Sequence, residues 1–238
     1  MITYVTGTLG AGKTFQSVRI IIRHLTSGGI VVTNIEIDRI KLAYVMESRG
    51  GVYFEDDQLI VFDPEENPNW QTSIPWGSIE GDVLVVMDEA QLFYNARDWA
   101  ITAARSRELL SFLTQSRKAG VDVLWITQDG GNVDKQFRVL AEWELAIIST
   151  KHLPLGWLGK LPFAAYCVKH ISCKGNFVVR REWELYSKWI KGVYVTNSML
   201  NSHMRDLKAS VEILTKRKLK RVSAKKRFYY QILNILKS

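Results

Sequence analysis

Cysteine is scarce in this sequence, and long apolar runs are missing. Two cysteines among 238 residues cannot form the disulfide framework of a small secreted domain. Cys167 and Cys173 stand in no CxxC pattern and have no paired histidine at ligand spacing. They read as reduced thiols in a cytosolic compartment. The chain does not open on a basic segment followed by an apolar stretch and a cleavage site, so no signal peptide is expected. No stretch reaches the roughly 18–20 uninterrupted apolar residues of a membrane span. The nearest, residues 153–168, is broken by Pro154, Gly156, Gly159, Lys160 and Pro162. No internal repeat is visible.

What is present is globular in character. Hydrophobic residues make up 47% and charged residues 24%, enough for a substantial core and unlike a disordered chain. The length suits one large domain with an appendage. The formal charge is +8, and its distribution is uneven. Residues 205–238 carry eleven Lys and Arg against Asp206 and Glu212, a surplus of nine that leaves residues 1–204 at −1. This suggests a neutral body over residues 1–204 and a basic helical tail over 205–238.

Residues 2–6 are a β-branched run that predicts a strand. A Gly-rich turn, 7–14, leads into a helix over 15–25 with apolar residues near a 3.6 period. Gly28 and Gly29 end it, and a second strand is expected at 30–35. Strand, helix and strand in this order form a βαβ unit with parallel strands. Residues 36–81 read as an insertion of short helix and loops. Residues 83–87, VLVVM, predict a strand buried on both faces. A helix is expected at 105–118, strands at 121–127 and 143–149, and a short helix at 134–140. Two β-like runs within 163–189, separated by residues 173–176, predict a hairpin. The fold class is therefore α/β, with a mainly parallel central sheet flanked by helices, antiparallel additions and a basic C-terminal tail. The turn 7–14, GTLGAGKT, has the phosphate-loop pattern and makes the expected fold that of a P-loop NTPase.

Gly7-Thr8-Leu9-Gly10-Ala11-Gly12-Lys13-Thr14 fits GxxxxGK[ST] without deviation, between a strand and a helix. Glycines let the backbone approach phosphate closely. Successive N–H groups form an anion nest, and the helix N-terminus adds partial positive charge. Residues 7–14 and Phe15 are the expected nucleotide-binding set. Lys13 is assigned to the β- and γ-phosphates, and the Thr14 hydroxyl to Mg²⁺.

Asp88 and Glu89 close the apolar strand 83–87. Alone they would be two solvated carboxylates. Beside a phosphate loop, Asp88 suits Mg²⁺ and Glu89 suits the attacking water. The pair favours ATP hydrolysis coupled to work, and no NKxD segment is present to read guanine. Gln128 ends the strand 121–127, where an amide can touch both γ-phosphate and water. An arginine from a neighbouring subunit often stabilises the transferring phosphoryl group. Among Arg97, Arg105, Arg107, Arg117 and Arg138, the expectation falls on Arg117 and Arg138, which flank the Gln128 strand.

GTLGAGKT, VLVVMDEAQLFYNARDW and ELLSFLTQSRKAGVDVLWITQD together resemble the Zot family, the assembly ATPases of filamentous phages, over roughly residues 1–150. Residues 88–91 correspond to the family's DEAH/DEAQ-like segment, Arg97 to the arginine after it, and Gln128 to its sensor position. The stretch from Gln115 to Gln128 is similar to the wider FtsK–HerA class of DNA pumps. The resemblance implies an oligomeric ATPase, a ring bound to the host inner membrane that extrudes single-stranded phage DNA. Such proteins usually continue into a membrane span and an external domain, whereas this sequence ends at Ser238 after a basic run whose apolar part is too short to cross. The expectation is a motor that drives viral DNA extrusion or packaging in the host cytoplasm, peripheral to the inner membrane, with ATP and Mg²⁺ as cofactors. Its partners would be further copies of itself, viral DNA, and the membrane surface or a membrane assembly protein. The basic tail, with Phe228, Tyr229 and Tyr230, suits DNA phosphates and stacking or an anionic bilayer at about 1 kcal/mol per Lys or Arg. An ATP-dependent scaffold or switch in virion assembly is the alternative.

Overall fold

The computed structural model describes residues 1–64, 66–67, 70–92, 110–129, 131, 133, 135–150 and 165–194. The chain divides into two units, Met1–Val195 and Thr196–Ser238. The basic tail and its boundary at residue 204 lie outside the described residues, as do Arg97, Arg105 and Arg107.

The elements run β1 (Ile2–Thr6), α1 (Lys13–Thr26), β2 (Ile30–Thr33), α2 (Arg39–Gly50), β3 (Leu59–Val61) and β4 (Val83–Met87). Residues 110–115 are helical (α3). β5 (Val121–Ile126), α4 (Lys135–Leu140), β6 (Trp143–Ser149), β7 (Ala165–Ser172), β8 (Phe177–Leu185) and α5 (Lys188–Lys191) follow. The eight strands form one sheet in the order β3-β2-β4-β5-β1-β6-β7-β8. β3 through β6 are mutually parallel, and β7 and β8 add antiparallel.

Alternating side chains of the central strands enter two cores. Val5, Val31, Leu84, Val86, Leu124, Ile126 and Ile147 meet Phe15, Val18, Ile21 and Leu25 of α1. Ile2, Val32, Val83, Val85, Met87, Val123 and Trp125 meet Trp70, Leu113 and Phe137 on the other face. All five residues of β4 are buried, which is why its sequence is continuously apolar rather than alternating. A strand covered on both faces has no polar side to declare.

Three expectations need adjustment. The segment 36–81 holds more than short helix and loops: α2 is a twelve-residue helix, capped by the Asp38 carboxylate on the Lys41 N–H at 3.1 Å, and β3 is a parallel edge strand. A three-residue strand carries too short a pattern to announce itself. β2 stops at Thr33 rather than Ile35, because the Asn34 side chain takes over the pairing with β4. Residues 116–120 form a turn where the helix was expected to continue to 118.

The hairpin of β7 and β8 is tied to α1 by a buried network. The Tyr166 hydroxyl lies 2.8 Å from Gln16 Oε1 and 2.7 Å from Glu184 Oε2, and Arg19 pairs with Glu184. Among the described residues no helix is long and apolar enough to cross a membrane.

Candidate nucleotide-binding site

In a parallel sheet the carboxyl ends of neighbouring strands share one edge. Gly7 follows β1, Asp88 follows β4 and Thr127-Gln128 follow β5, and these three strands are adjacent. The site lies along that edge.

The loop 7–12 depends on glycine at two positions. Gly12, at φ 100°, caps α1 in a left-handed conformation, and a Cβ there would run into the Tyr186 hydroxyl. A Cβ on Gly7 would lie 2.6 Å from the Ile147 carbonyl oxygen. The first intrahelical bond joins the Gln16 N–H to the Gly12 carbonyl at 2.9 Å. The N–H groups of Lys13, Thr14 and Phe15 precede it, the usual place for a bound anion. Leu9 at the loop tip is exposed, while Ala11 is buried.

Lys13 folds over the loop, its ammonium donating to the carbonyls of Gly7 at 2.9 Å and Thr8 at 3.4 Å. The side chain is buried, and burial lowers its pKa against the opposing charges of Glu89 and Asp88. Phe15 turns its ring into the core, packed on Tyr166 and Tyr186 at centroid distances of 5.7 and 4.6 Å. Only its backbone can serve a ligand.

The Thr14 hydroxyl donates to Asp88 Oδ2 at 2.8 Å. The two residues are 74 positions apart in sequence, so this contact joins the loop to the end of β4. Burial pushes the Asp88 carboxyl up to about 6, with the nearby Glu89 charge adding to the shift; the Thr14 hydrogen bond, the Glu89 N–H and Lys13 hold it down. A hard cation would relieve that poorly solvated carboxylate, and a hydroxyl beside a carboxylate is an oxygen donor set suited to Mg²⁺. Among the described residues no group of three or more His, Cys, Asp or Glu could hold a metal by itself. An ion here would need phosphate oxygens to complete its coordination, as Mg²⁺ commonly does.

Glu89 has a left-handed backbone, φ 51°. Its N–H donates to Asp88 Oδ1 at 2.8 Å, and Gln91 Nε2 donates to its carboxylate. Gln128 is exposed just past β5, at the same sheet edge as Gly7 and Asp88.

Arg117 and Arg138 are placed elsewhere. Arg117 precedes β5 and pairs with Glu80, its Nε 2.7 Å from Oε1. Arg138 lies in α4, just ahead of β6. Both stand at the amino-end edge of the sheet, opposite the phosphate loop, because the chain must return there before each parallel strand. Neither is brought to the loop of its own chain.

Sequence reasoning missed two contributors. Asn34, 8% exposed, donates through Nδ2 to the Asp88 carbonyl at 3.0 Å and accepts from the Asp88 N–H at Oδ1, 2.7 Å. Tyr186 seats its ring behind Gly12 and Phe15. A polar residue at the end of an apolar run was the one available signal for Asn34. Nothing local marked Tyr186.

Comparison with known proteins identifies the family. The profile of the family described as Zonular occludens toxin (Zot) matches residues 1–156. The chain is 35% identical over 144 residues to the Gene 1 protein of Enterobacteria phage I2-2, covering 58% of this chain and 37% of that protein. It is 27% identical over 163 residues to the Gene 1 protein of Enterobacteria phage M13, covering 66% and 45%. The chain thus spans less than half the length of these relatives. A crystal structure of the RadB recombinase superposes with a TM-score of 0.50 at 16% identity, covering 78% of this chain and 87% of that one. The likeness at that identity is one of fold.

Proposed function

This chain belongs to the zonular occludens toxin (Zot) family, and from that premise we propose that it is an ATP-hydrolysing motor of phage assembly that moves viral DNA. The observation that carries the reading is the 2.8 Å contact of Thr14 with Asp88, which unites a complete phosphate loop with an Asp-Glu strand end. Lys13 is already poised over the loop and exchanges its carbonyl partners for the β- and γ-phosphate oxygens. The N–H groups at the start of α1 bind and orient the same phosphates. Thr14 and Asp88 would hold Mg²⁺, which would supply charge neutralisation at the phosphates. Glu89, next to Asp88 and steadied by Gln91, orients the attacking water and accepts its proton. Gln128 reports the γ-phosphate to β5. Arg117 and Arg138, on the far edge of the sheet, are assigned to the transferring phosphoryl group of a neighbouring copy in an oligomer. The DNA contact is assigned to the basic tail, whose surplus of nine positive charges predicts steep salt dependence.

The test is ATP hydrolysis by purified protein, with Lys13→Ala as control. Single-stranded DNA, double-stranded DNA and anionic liposomes are each added at two salt concentrations. Stimulation by DNA that fades with salt is the expected result, strongest with single strands. Nucleotide binding without hydrolysis under every condition would refute the motor. Stimulation by liposomes alone would assign the chain to membrane-recruited assembly rather than DNA movement.

A further inference from the structure

We propose that Asn34 is a positioning residue for hydrolysis, acting through the backbone of Asp88 and Glu89; the catalytic half of this inference rests on the ATPase reading above. The geometry is a clamp. Nδ2 of Asn34 donates to the Asp88 carbonyl at 3.0 Å, and its Oδ1 accepts the Asp88 N–H at 2.7 Å. One amide side chain thereby fixes the peptide units on both sides of Asp88. It continues the β2–β4 ladder after its last backbone pair, Thr33 with Val86. The peptide between Asp88 and Glu89 is held at both ends, since its carbonyl goes to Asn34 and its N–H to Asp88 Oδ1 at 2.8 Å.

The next rotatable bond is φ of Glu89, which stands at +51°. That conformation costs a residue with a Cβ and persists only where its surroundings over-determine it. Asn34 supplies that determination from a neighbouring strand. Released from the clamp, the peptide can turn and Glu89 can relax to negative φ, which re-aims its carboxylate away from the position held with Gln91. Asp88 keeps its own bond from Thr14, so the effect falls on the water-directing group more than on nucleotide binding.

Two readouts separate this role from a merely structural one. The first needs no hydrolysis. Glycine tolerates positive φ without strain, so Glu89→Gly is expected to raise the melting temperature by roughly 2–6 °C when Asn34 is present. In an Asn34→Ala background the strain has already been released, so the gain should vanish. Equal effects of Glu89→Gly in both backgrounds would overturn the proposal. The second readout is kinetic. Asn34→Ala is expected to lower kcat on the order of 10²-fold, the scale of a 1 Å misplacement. The affinity for a fluorescent ATP analogue should stay within about threefold, a ratio of about 0.7 kcal/mol. Asn34→Ala should add nothing to Glu89→Gln if it acts through Glu89. An unchanged kcat, or a loss of nucleotide affinity as large as the loss of kcat, overturns it. If the wild-type protein binds ATP and never hydrolyses it, the motor reading fails and the melting comparison alone decides whether Asn34 holds Glu89.

Discussion

Replacing Asp88 by asparagine should stabilise the protein while removing its activity. Burial holds the Asp88 carboxyl at about 6 against an ordinary value of 3.8. Between those values the folded state binds the proton more tightly than the unfolded chain does. Stability therefore falls as pH rises through that interval and stays lowered above it. A shift of about two units at 1.36 kcal/mol each sets a ceiling of about 3 kcal/mol on what a neutral side chain could recover at pH 7.5. The amide introduced by Asp88→Asn would keep one acceptor where the carboxylate serves both the Thr14 hydroxyl and the Glu89 N–H, and that lost bond offsets about 1 kcal/mol or more. A net gain of about 1–2 kcal/mol remains, a rise in Tm of roughly 2–8 °C for a domain of this size. The assay is thermal or urea unfolding of both proteins, free of nucleotide, from pH 4.5 to 8. The gap should close below pH 5, where Asp88 is protonated. Adding Mg²⁺ and ATP should reverse the order, because a ligand that binds the folded state stabilises it by mass action. A gap of the same size at pH 4.5, or no gap at pH 7.5, would refute the assignment of this carboxylate as a desolvated, cation-seeking group.

Two further predictions concern the loop and the arginines. Gly12→Ala forces a Cβ into a left-handed position against the Tyr186 hydroxyl and should cost about 1–3 kcal/mol; Tyr186→Phe in the same chain should recover part of that loss in a melting experiment. Arg117→Ala removes an exposed pair with Glu80, so stability should change by less than about 1 kcal/mol and nucleotide affinity should hold. If Arg117 serves a neighbouring copy, DNA-stimulated hydrolysis falls in Arg117→Ala and partly returns on mixing with Lys13→Ala subunits; unchanged hydrolysis in the single variant removes it from the candidates.

The loop, the helix after it and the buried strand β4 were legible from residues alone. A strand, three glycines, a lysine and a helix start lie within a few residues of one another, and each of their conformations is set by local backbone sterics. The hairpin of β7 and β8 was legible for the same reason, its turn falling at 173–176 with Asn176 at φ 50°. Tertiary structure decided what stands beside what. Asn34 is 54 residues from Asp88 and meets it because β2 lies next to β4, a neighbour relation that no stretch of either strand encodes. Tyr186 reaches Gly12 because the antiparallel hairpin folds back to the start of α1. Arg117 and Arg138 flank β5 in sequence, but parallel strands must be re-entered from the far edge, so both end opposite the phosphate loop of their own chain; the role expected of them is toward a neighbouring subunit's loop. Local sterics act over a few bonds and can be read along the chain; strand order is fixed by burying two faces of one sheet at once, a property of all the strands together.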